Sequence, residues 1–397
     1  MIDVLYTLMA VLILQGLISL WEGTRFSAFV HRSLQRPSGT FTPKATIIVP
    51  CKGIDAKLDE NLRALFEQDY PEFEIIFSIA SADDPTRRLI ESVIAEKRRT
   101  PARLIVAGGF EGRSEKINNL LAAIDQVSAD CEVMVFADSD VRVHKDWLER
   151  LVAPLADRGV GAATGYRWVL PERRGLCAAV LSAWNGSVAT TLGDHGRNFA
   201  WGGSTAIRRD TFERIGVRKR WEHAVSDDYS LTSAVNEAGL RVVFVPRCLV
   251  ATREAVTFRS LIEFTTRQVI ITRVYRPGAW WVGLISHALF TFGFFGGIAF
   301  AASAAMRGTN ATLLFMMIGA IYLLGSIKGA LRLSAAREAL VDARSDVVRL
   351  WWMFCLLWPL VSLVFLYNFL ASAATRRIRW RGVAYEMRSP SETRVLR

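Results

Sequence analysis

The sequence predicts an α/β domain with a mostly parallel sheet, carried between transmembrane helices at both ends. Three observations predict it. Short apolar segments alternate with amphipathic helical patterns through the middle of the 397 residues, Val4–Trp21 holds no charge, and long apolar runs return after Arg276-Pro277. The bulk numbers agree: 51% of residues are hydrophobic and mean hydropathy is +0.23. That is high for a soluble protein and low for one that is mostly membrane.

The first element is "VLYTLMAVLILQGLISLW", bracketed by Asp3 and Glu22. About 18 to 20 residues rising 1.5 Å each cross a hydrocarbon core of roughly 30 Å. The competing reading is a cleaved signal peptide, but "MID" lacks a basic leader and no small-x-small site follows the run. A retained anchor is therefore expected over residues 1–24. Arg25, Arg32, Arg36 and Lys44 follow it and put the next domain in the cytoplasm. That domain is expected over 40–255, an interfacial helix region over 256–278, transmembrane or re-entrant helices over 279–374, and a basic cytoplasmic tail over 375–397. The late apolar runs are Ala279–Met306, Ala311–Ile327 and Leu350–Ala374, and Arg-rich stretches lie at 328–349 and 376–381. Three full crossings cannot keep both basic stretches inside. Pro359 interrupts the last run, which leaves a re-entrant or interfacial hairpin open there and the crossing count unsettled.

Within the central domain, "ATIIV" precedes "KLDENLRALFEQ", and "FEIIFSIA" precedes "PTRRLIESVIAEKRR". Next, "ARLIVAG" precedes "SEKINNLLAAIDQV", and "CEVMVFA" precedes "KDWLERLVAPLA". Near-continuous apolar strands separated by amphipathic helices mean βαβ units, a parallel sheet, and a ligand crevice beyond the carboxyl ends of the strands. Two of these strands run into acid pairs, Asp83-Asp84 and Asp138-Ser139-Asp140. Like charges gathered at strand ends need a cation, and oxygen ligands at this spacing suit Mg²⁺ or Mn²⁺, which usually also holds substrate phosphates. Taken alone, such a triplet is also what a solvated turn looks like. Asp227-Asp228 opens "DDYSLTSAV", where acids equally suit a helix N-terminus.

The net charge of +11 suits nucleic acid, anionic lipid or a phosphate-rich ligand. Much of it lies at the membrane borders and no nucleic-acid motif with interleaved aromatics is present, so nucleic acid is not an expected partner. The five cysteines are odd in number and scattered without a CxxC pair, and the five histidines show no metal-ligand spacing. Reduced, buried thiols are expected, with no disulfide framework and no zinc site.

Several ordered motifs together resemble the family 2 glycosyltransferases, and among them most the ceramide glucosyltransferase branch. They are "SADDPT", "EKINNLLAAI", "FADSDV", "WGGSTAIRRDTFERIGV" and "VSDDYSL", the last with Asp227 where Glu is usual. The resemblance covers most of the chain. It implies a GT-A-type nucleotide-sugar-binding domain, a UDP-sugar donor (UDP-glucose first), a membrane lipid acceptor and a place in a bacterial inner membrane. It further implies that Asp83 or Asp84 holds the uracil or ribose, that Lys116 lies near the nucleotide, and that Asp138 and Asp140 bind ribose and metal. Asp228 becomes the general base of an inverting transfer. "FTTRQ" stands for the family's Gln/Arg-x-x-Arg-Trp: Arg267 keeps the phosphate-facing cation and Gln268 replaces the aromatic. That departure argues against processive polymer synthesis and leaves the acceptor, whether ceramide, diacylglycerol or a hopanoid, open. His195 falls where ceramide-type members carry a loop histidine near the acceptor entrance, a position where a solvated histidine is also ordinary. Leu176–Leu192 reads as an interfacial helix or as core. "RWRGVAYEM" resembles the tail of membrane-bound lipid glycosyltransferases and is expected to fold back near the cytoplasmic surface. From another class, a membrane-anchored polyanion-binding protein remains an alternative, set apart by metal-indifferent, salt-sensitive binding.

Overall fold

The computed structural model describes residues 2–37, 39–55, 57–173 and 175–396. The chain divides into two compact units. One comprises the chain up to His31, Val169–Thr190 and Arg253–Thr375; the other comprises Arg32–Trp168, Thr191–Thr252 and the chain from Arg376 onward.

The second unit is built on a seven-stranded sheet. Its strands are β1 (Ala45–Pro50), β2 (Phe73–Ile79), β3 (Ala102–Val106), β4 (Val133–Ala137), β5 (Val160–Pro171), β6 (Ser204–Arg208) and β7 (Arg241–Glu254). The spatial order is β3-β2-β1-β4-β6-β5-β7. The first four run parallel, with Ala45 opposite both Phe73 and Val133, whereas β6 pairs antiparallel with β4 and β5. β4 is wholly buried and β1 buried except at its last residue, which is why both read as unbroken apolar runs rather than alternating ones. Phe136 near the end of β4 packs 5.3 Å from Trp221 and 6.3 Å from Phe212 by ring centroids. This aromatic core fixes the strand end from which Asp138 and Asp140 emerge.

Two helices complete the frame. Glu115–Ile124 begins at Ser114, whose side chain accepts the Ile117 amide. Asp227–Glu237 begins at Ser226, whose side chain accepts the Tyr229 amide. The residue capping this helix is therefore Ser226. Asp227 and Asp228 fall in its first turn, where the helix dipole favours negative charge.

The chain beyond Arg376 forms a three-stranded antiparallel sheet of β8 (Arg377–Trp380), β9 (Val383–Ser389) and β10 (Glu392–Leu396). Trp380 pairs with Val383, so Arg381 and Gly382 alone make the turn, with φ of 45° and 84°. Two successive positive φ values define a type I′ hairpin, which ordinarily takes Asn-Gly. Arginine at its first position costs roughly 1 kcal/mol.

The first unit is helical. Ile2–Gln35, Pro277–Met306 and Thr312–Ala339 are each long and apolar enough to cross a membrane, while Leu176–Ala189 and Trp358–Ala374 are apolar but shorter. The protein is accordingly a membrane protein. Met9, Leu12, Phe294, Ala301 and Ile318 form one apolar cluster among these helices, with Gly293 set against Leu12 and Leu8. Small residues let helices approach closely where apolar surface alone gives no drive to associate. The boundary expected at residue 24 falls inside a continuous helix. Helix Leu176–Ala189, read from sequence as interfacial helix or core within the 40–255 domain, belongs to the helical unit. The last apolar run is two helices, Trp351–Cys355 and Trp358–Ala374, the second starting with Pro359 in its first turn. All five cysteines are free.

Candidate functional site

The site lies in the sheet-based unit, where β1, β2, β4 and helices Glu115–Ile124 and Asp227–Glu237 present their ends. At its centre is Lys116. Its Nζ lies 2.8 Å from Asp138 Oδ1 and 3.1 Å from Asp227 Oδ2, which ties the second acid motif to the third. Burial alone lowers the Lys116 pKa, but Asp138 and Asp227 outweigh it and hold the ammonium charged. Burial pushes Asp227 up to about 6, with the Asp228 and Asp138 charges adding and Lys116 opposing.

Backbone glycine is required here. The turn at Gly202-Gly203 is held by Trp201, whose amide donates to Thr164 Oγ1 (2.9 Å) and whose carbonyl accepts from Ser204 N (3.0 Å). A Cβ on Gly202 would meet the Asp227 carboxylate and come within 2.7 Å of Lys116 Nζ, and one on Gly203 would meet the Trp201 ring and come within 2.7 Å of Asp138 Oδ2. The glycine pair thus makes room for the Asp138–Lys116–Asp227 bridge.

Asp140 is the acid with an unmet valence. Its Oδ1 is buried without a hydrogen-bond partner among the described residues. Its Oδ2 lies 3.9 Å from both Arg167 and Arg381, a charge contact too long for a hydrogen bond. Burial pushes its pKa up to about 6; Asp138 adds to the shift and the two arginines oppose it. No group of three or more His, Cys, Asp or Glu fit to hold a metal exists among the described residues. Two neighbouring carboxylates, one with an orphaned buried oxygen, nevertheless fit a hard divalent cation of the kind that takes one or two protein carboxylates and completes its shell with water and phosphate oxygens.

Asp228 Oδ1 accepts the Tyr229 amide at 2.7 Å and also the Ser226 hydroxyl. Among the described residues no bond engages Oδ2 of this half-buried carboxylate. The buried Tyr166 phenol, T-shaped to Phe199 and 5.7 Å from the Trp201 ring, feels the Asp228 charge.

The remaining sequence-predicted residues separate in kind. Asp84 is committed to structure: Oδ1 takes Gly53 N (3.1 Å), Thr86 N (2.9 Å) and Thr86 Oγ1 (2.7 Å), which fixes the loop after β1 and starts helix Thr86–Glu96. Asp83 is exposed. His195 is also exposed, and its Nδ1 accepts only the Arg197 amide two residues away, in a loop pinned by Asn198 to Gly193. None of its contacts reaches the acids. Arg267 belongs to the helical unit, on helix Phe258–Tyr275, with its guanidinium over the Phe264 ring.

Four residues join this site that sequence reasoning passed over. Asp55 and Lys52 lie in the loop after β1, where Lys52 pairs with Glu115 at 2.6 Å. Arg167 comes from β5 and Arg381 from the β8–β9 turn. Only "RWRGVAYEM" held a signal, and it pointed to a surface tail.

Comparison with known proteins then fixes the family. The model described as Glycosyl transferase family 21 matches residues 4–393. The chain belongs to glycosyl transferase family 21. This is a family of sugar-transferring enzymes, and the motif resemblance to ceramide glucosyltransferases holds. Among curated relatives of the family 21 chain, ceramide glucosyltransferase 1 of Caenorhabditis elegans is 22% identical over 240 residues, covering 59% of this chain and 51% of that protein. The ceramide glucosyltransferase of Komagataella phaffii is 34% identical over 114 residues, covering 28% and 22% respectively. The chain thus spans about half the length of the first relative and less of the second. Among solved structures, the mannosyltransferase PcManGT from Pyrobaculum calidifontis, in complex with GDP-Man and Mn²⁺, aligns over 92% of this chain and 99% of its own at TM-score 0.49 and 18% identity.

Proposed function

We propose that the family 21 chain is an inverting transferase that moves one sugar, glucose first, from a UDP-sugar to the hydroxyl of a membrane lipid such as ceramide. The observation that carries this reading is the Lys116 bridge between Asp138 and Asp227, with Asp228 in the same helical turn as Asp227. It gathers residues from three separate motifs around one position. The ceramide glucosyltransferase relatives support a lipid acceptor.

In this reading Asp138 and Asp140 hold Mg²⁺ or Mn²⁺, which offsets charge on the departing diphosphate when bound. Asp138 also faces the ribose, Lys116 bridges Asp138 and Asp227 beside the nucleotide, and Asp83, the exposed member of the first acid pair, faces the uracil or ribose. Asp228 accepts the proton of the acceptor hydroxyl as that oxygen attacks the anomeric carbon. Its Oδ1 is already engaged by Ser226 and Tyr229, so the carboxylate meets the substrate in one orientation. His195 is assigned to the acceptor entrance.

The positive-inside rule favours one topology in this reading. Helix Ile2–Gln35 enters the cytoplasm, Pro277–Met306 leaves it and Thr312–Ala339 returns, with Trp358–Ala374 lying at the interface. Both Arg-rich stretches are then cytoplasmic, in a bacterial inner membrane.

The test is purified protein in lipid, incubated with labelled UDP-sugars and host lipid extract. Label from UDP-glucose in a lipid fraction is expected, and Asp228→Asn abolishes it while UDP binding stays near wild type. No labelled lipid from any UDP-sugar, or full turnover by the Asn variant, overturns the reading.

A further inference from the structure

Arg381 occupies a turn position that disfavours arginine, and its guanidinium is heavily engaged. Nη1 lies 3.2 Å from Asp55 Oδ1 and 2.8 Å from Lys52 O, and Nη2 lies 2.7 Å from Asp55 Oδ2. The same Nη2 is 3.9 Å from Asp140 Oδ2. The sheet that carries it is anchored to the site. Tyr385 on β9 is buried and its hydroxyl accepts the amide of Glu115, one residue before Lys116, at 3.2 Å. Ile378 and Met387 are buried as well.

A fork to Asp55 explains why the turn is held, but not why an arginine holds it. Asparagine would suit the backbone better, and a hairpin already anchored by Tyr385 needs no second clamp. What asparagine lacks is a cation aimed at Asp140, the carboxylate whose other oxygen has no partner. A non-glycine residue kept at positive φ beside an acid cluster points to function.

We propose that Arg381 is a diphosphate-binding residue of the donor site, brought there by the β8–β10 sheet. Its charge balances Asp55 and Asp140. With a nucleoside diphosphate and its cation bound, Asp140 would take the cation as its counter-charge, and the planar fork of Arg381 would turn to the diphosphate oxygens. This rests on the nucleotide-sugar reading of the site and adds to it a ligand from a different sheet.

The test uses full-length protein in lipid nanodiscs and the variants Arg381→Asn, which suits the turn, and Arg381→Lys, which keeps the charge without the fork. Calorimetry measures uridine, UMP and UDP affinity with Mn²⁺ present, and electron paramagnetic resonance measures Mn²⁺ affinity with no nucleotide. For Arg381→Asn, UDP affinity is expected to fall at least tenfold with uridine affinity and Tm held. Mn²⁺ alone should bind several-fold tighter, because a competing cation is gone. Arg381→Lys should fall between the two. UDP affinity within twofold of wild type overturns the proposal, as does an equal loss for uridine and UDP with a lowered Tm, which marks a purely structural role. If wild-type protein binds no UDP, the nucleotide-sugar reading itself fails, and this proposal with it.

Discussion

Two glycines and a lysine decide what the acids can do. Lys116 stands between Asp138 and Asp227, and no side chain fits at 202 or 203 without displacing that bridge. Gly203→Ala should therefore destabilise the protein by about 1–3 kcal/mol through overpacking and lower UDP affinity by a larger factor, read by thermal melting beside calorimetry. Unchanged UDP affinity would separate the glycine pair from donor binding. Titration gives a second residue-scale prediction. Asp140 and Asp227 have pKa values raised to about 6, so the folded site keeps protons that an unfolded chain has released by about pH 4. In the metal-free protein their favourable contribution to stability is fully present below pH 4 and is lost as pH rises through 6. Metal binding runs the other way, since it needs the ionised form. Mn²⁺ affinity measured with UDP should fall as pH drops below about 6, and an affinity flat from pH 5 to 7.5 would take Asp140 out of the ligand set.

At the scale of elements, helix ends do the positioning. Ser226 caps helix Asp227–Glu237 and also donates to Asp228, so one hydroxyl serves fold and site together. Ser226→Ala should cost about 1 kcal/mol of stability and reduce kcat several-fold with the donor KM little changed. A lower Tm with wild-type kcat would confine Ser226 to its structural task. The four parallel strands and these helices were legible in the sequence because their signals are local: buried parallel strands read as apolar runs, and acids after a strand mark its carboxyl end. β5 and β7 were not read from it. The run from Leu350 to Ala374 was legible, since Pro359 marks its interruption, and the structure breaks it just before Trp358 and leaves a second helix of 17 residues. Local pattern placed Asp227-Asp228 at a helix N-terminus without singling out Ser226 as the cap, because which of three adjacent polar residues takes the capping geometry depends on the entering backbone.

For the molecule as a whole, what the sequence could not disclose was contact across long chain separations. Asp55 and Arg381 are 326 residues apart, and nothing in either neighbourhood names the other. His195 shows the converse: a position suggestive by analogy whose contacts stay within its own loop. The topology is tested at this scale. In intact cells, a membrane-impermeant maleimide should label Thr309→Cys from outside and Ser391→Cys only after permeabilisation, with buried Cys51, Cys131 and Cys248 silent. Labelling of both from outside would invert or redraw the spans.

The route of the chain between its two units has a consequence for biosynthesis. A ribosome delivers the strands bearing the acids long before it delivers Arg381, and every apolar helix of the first unit emerges ahead of β8. If the guanidinium completes the donor pocket, a nascent chain cannot consume nucleotide sugar until its hydrophobic segments have already left the ribosome. Order of synthesis then acts as a safeguard, and a soluble fragment cut at residue 255 would be missing a phosphate ligand however well its sheet folded.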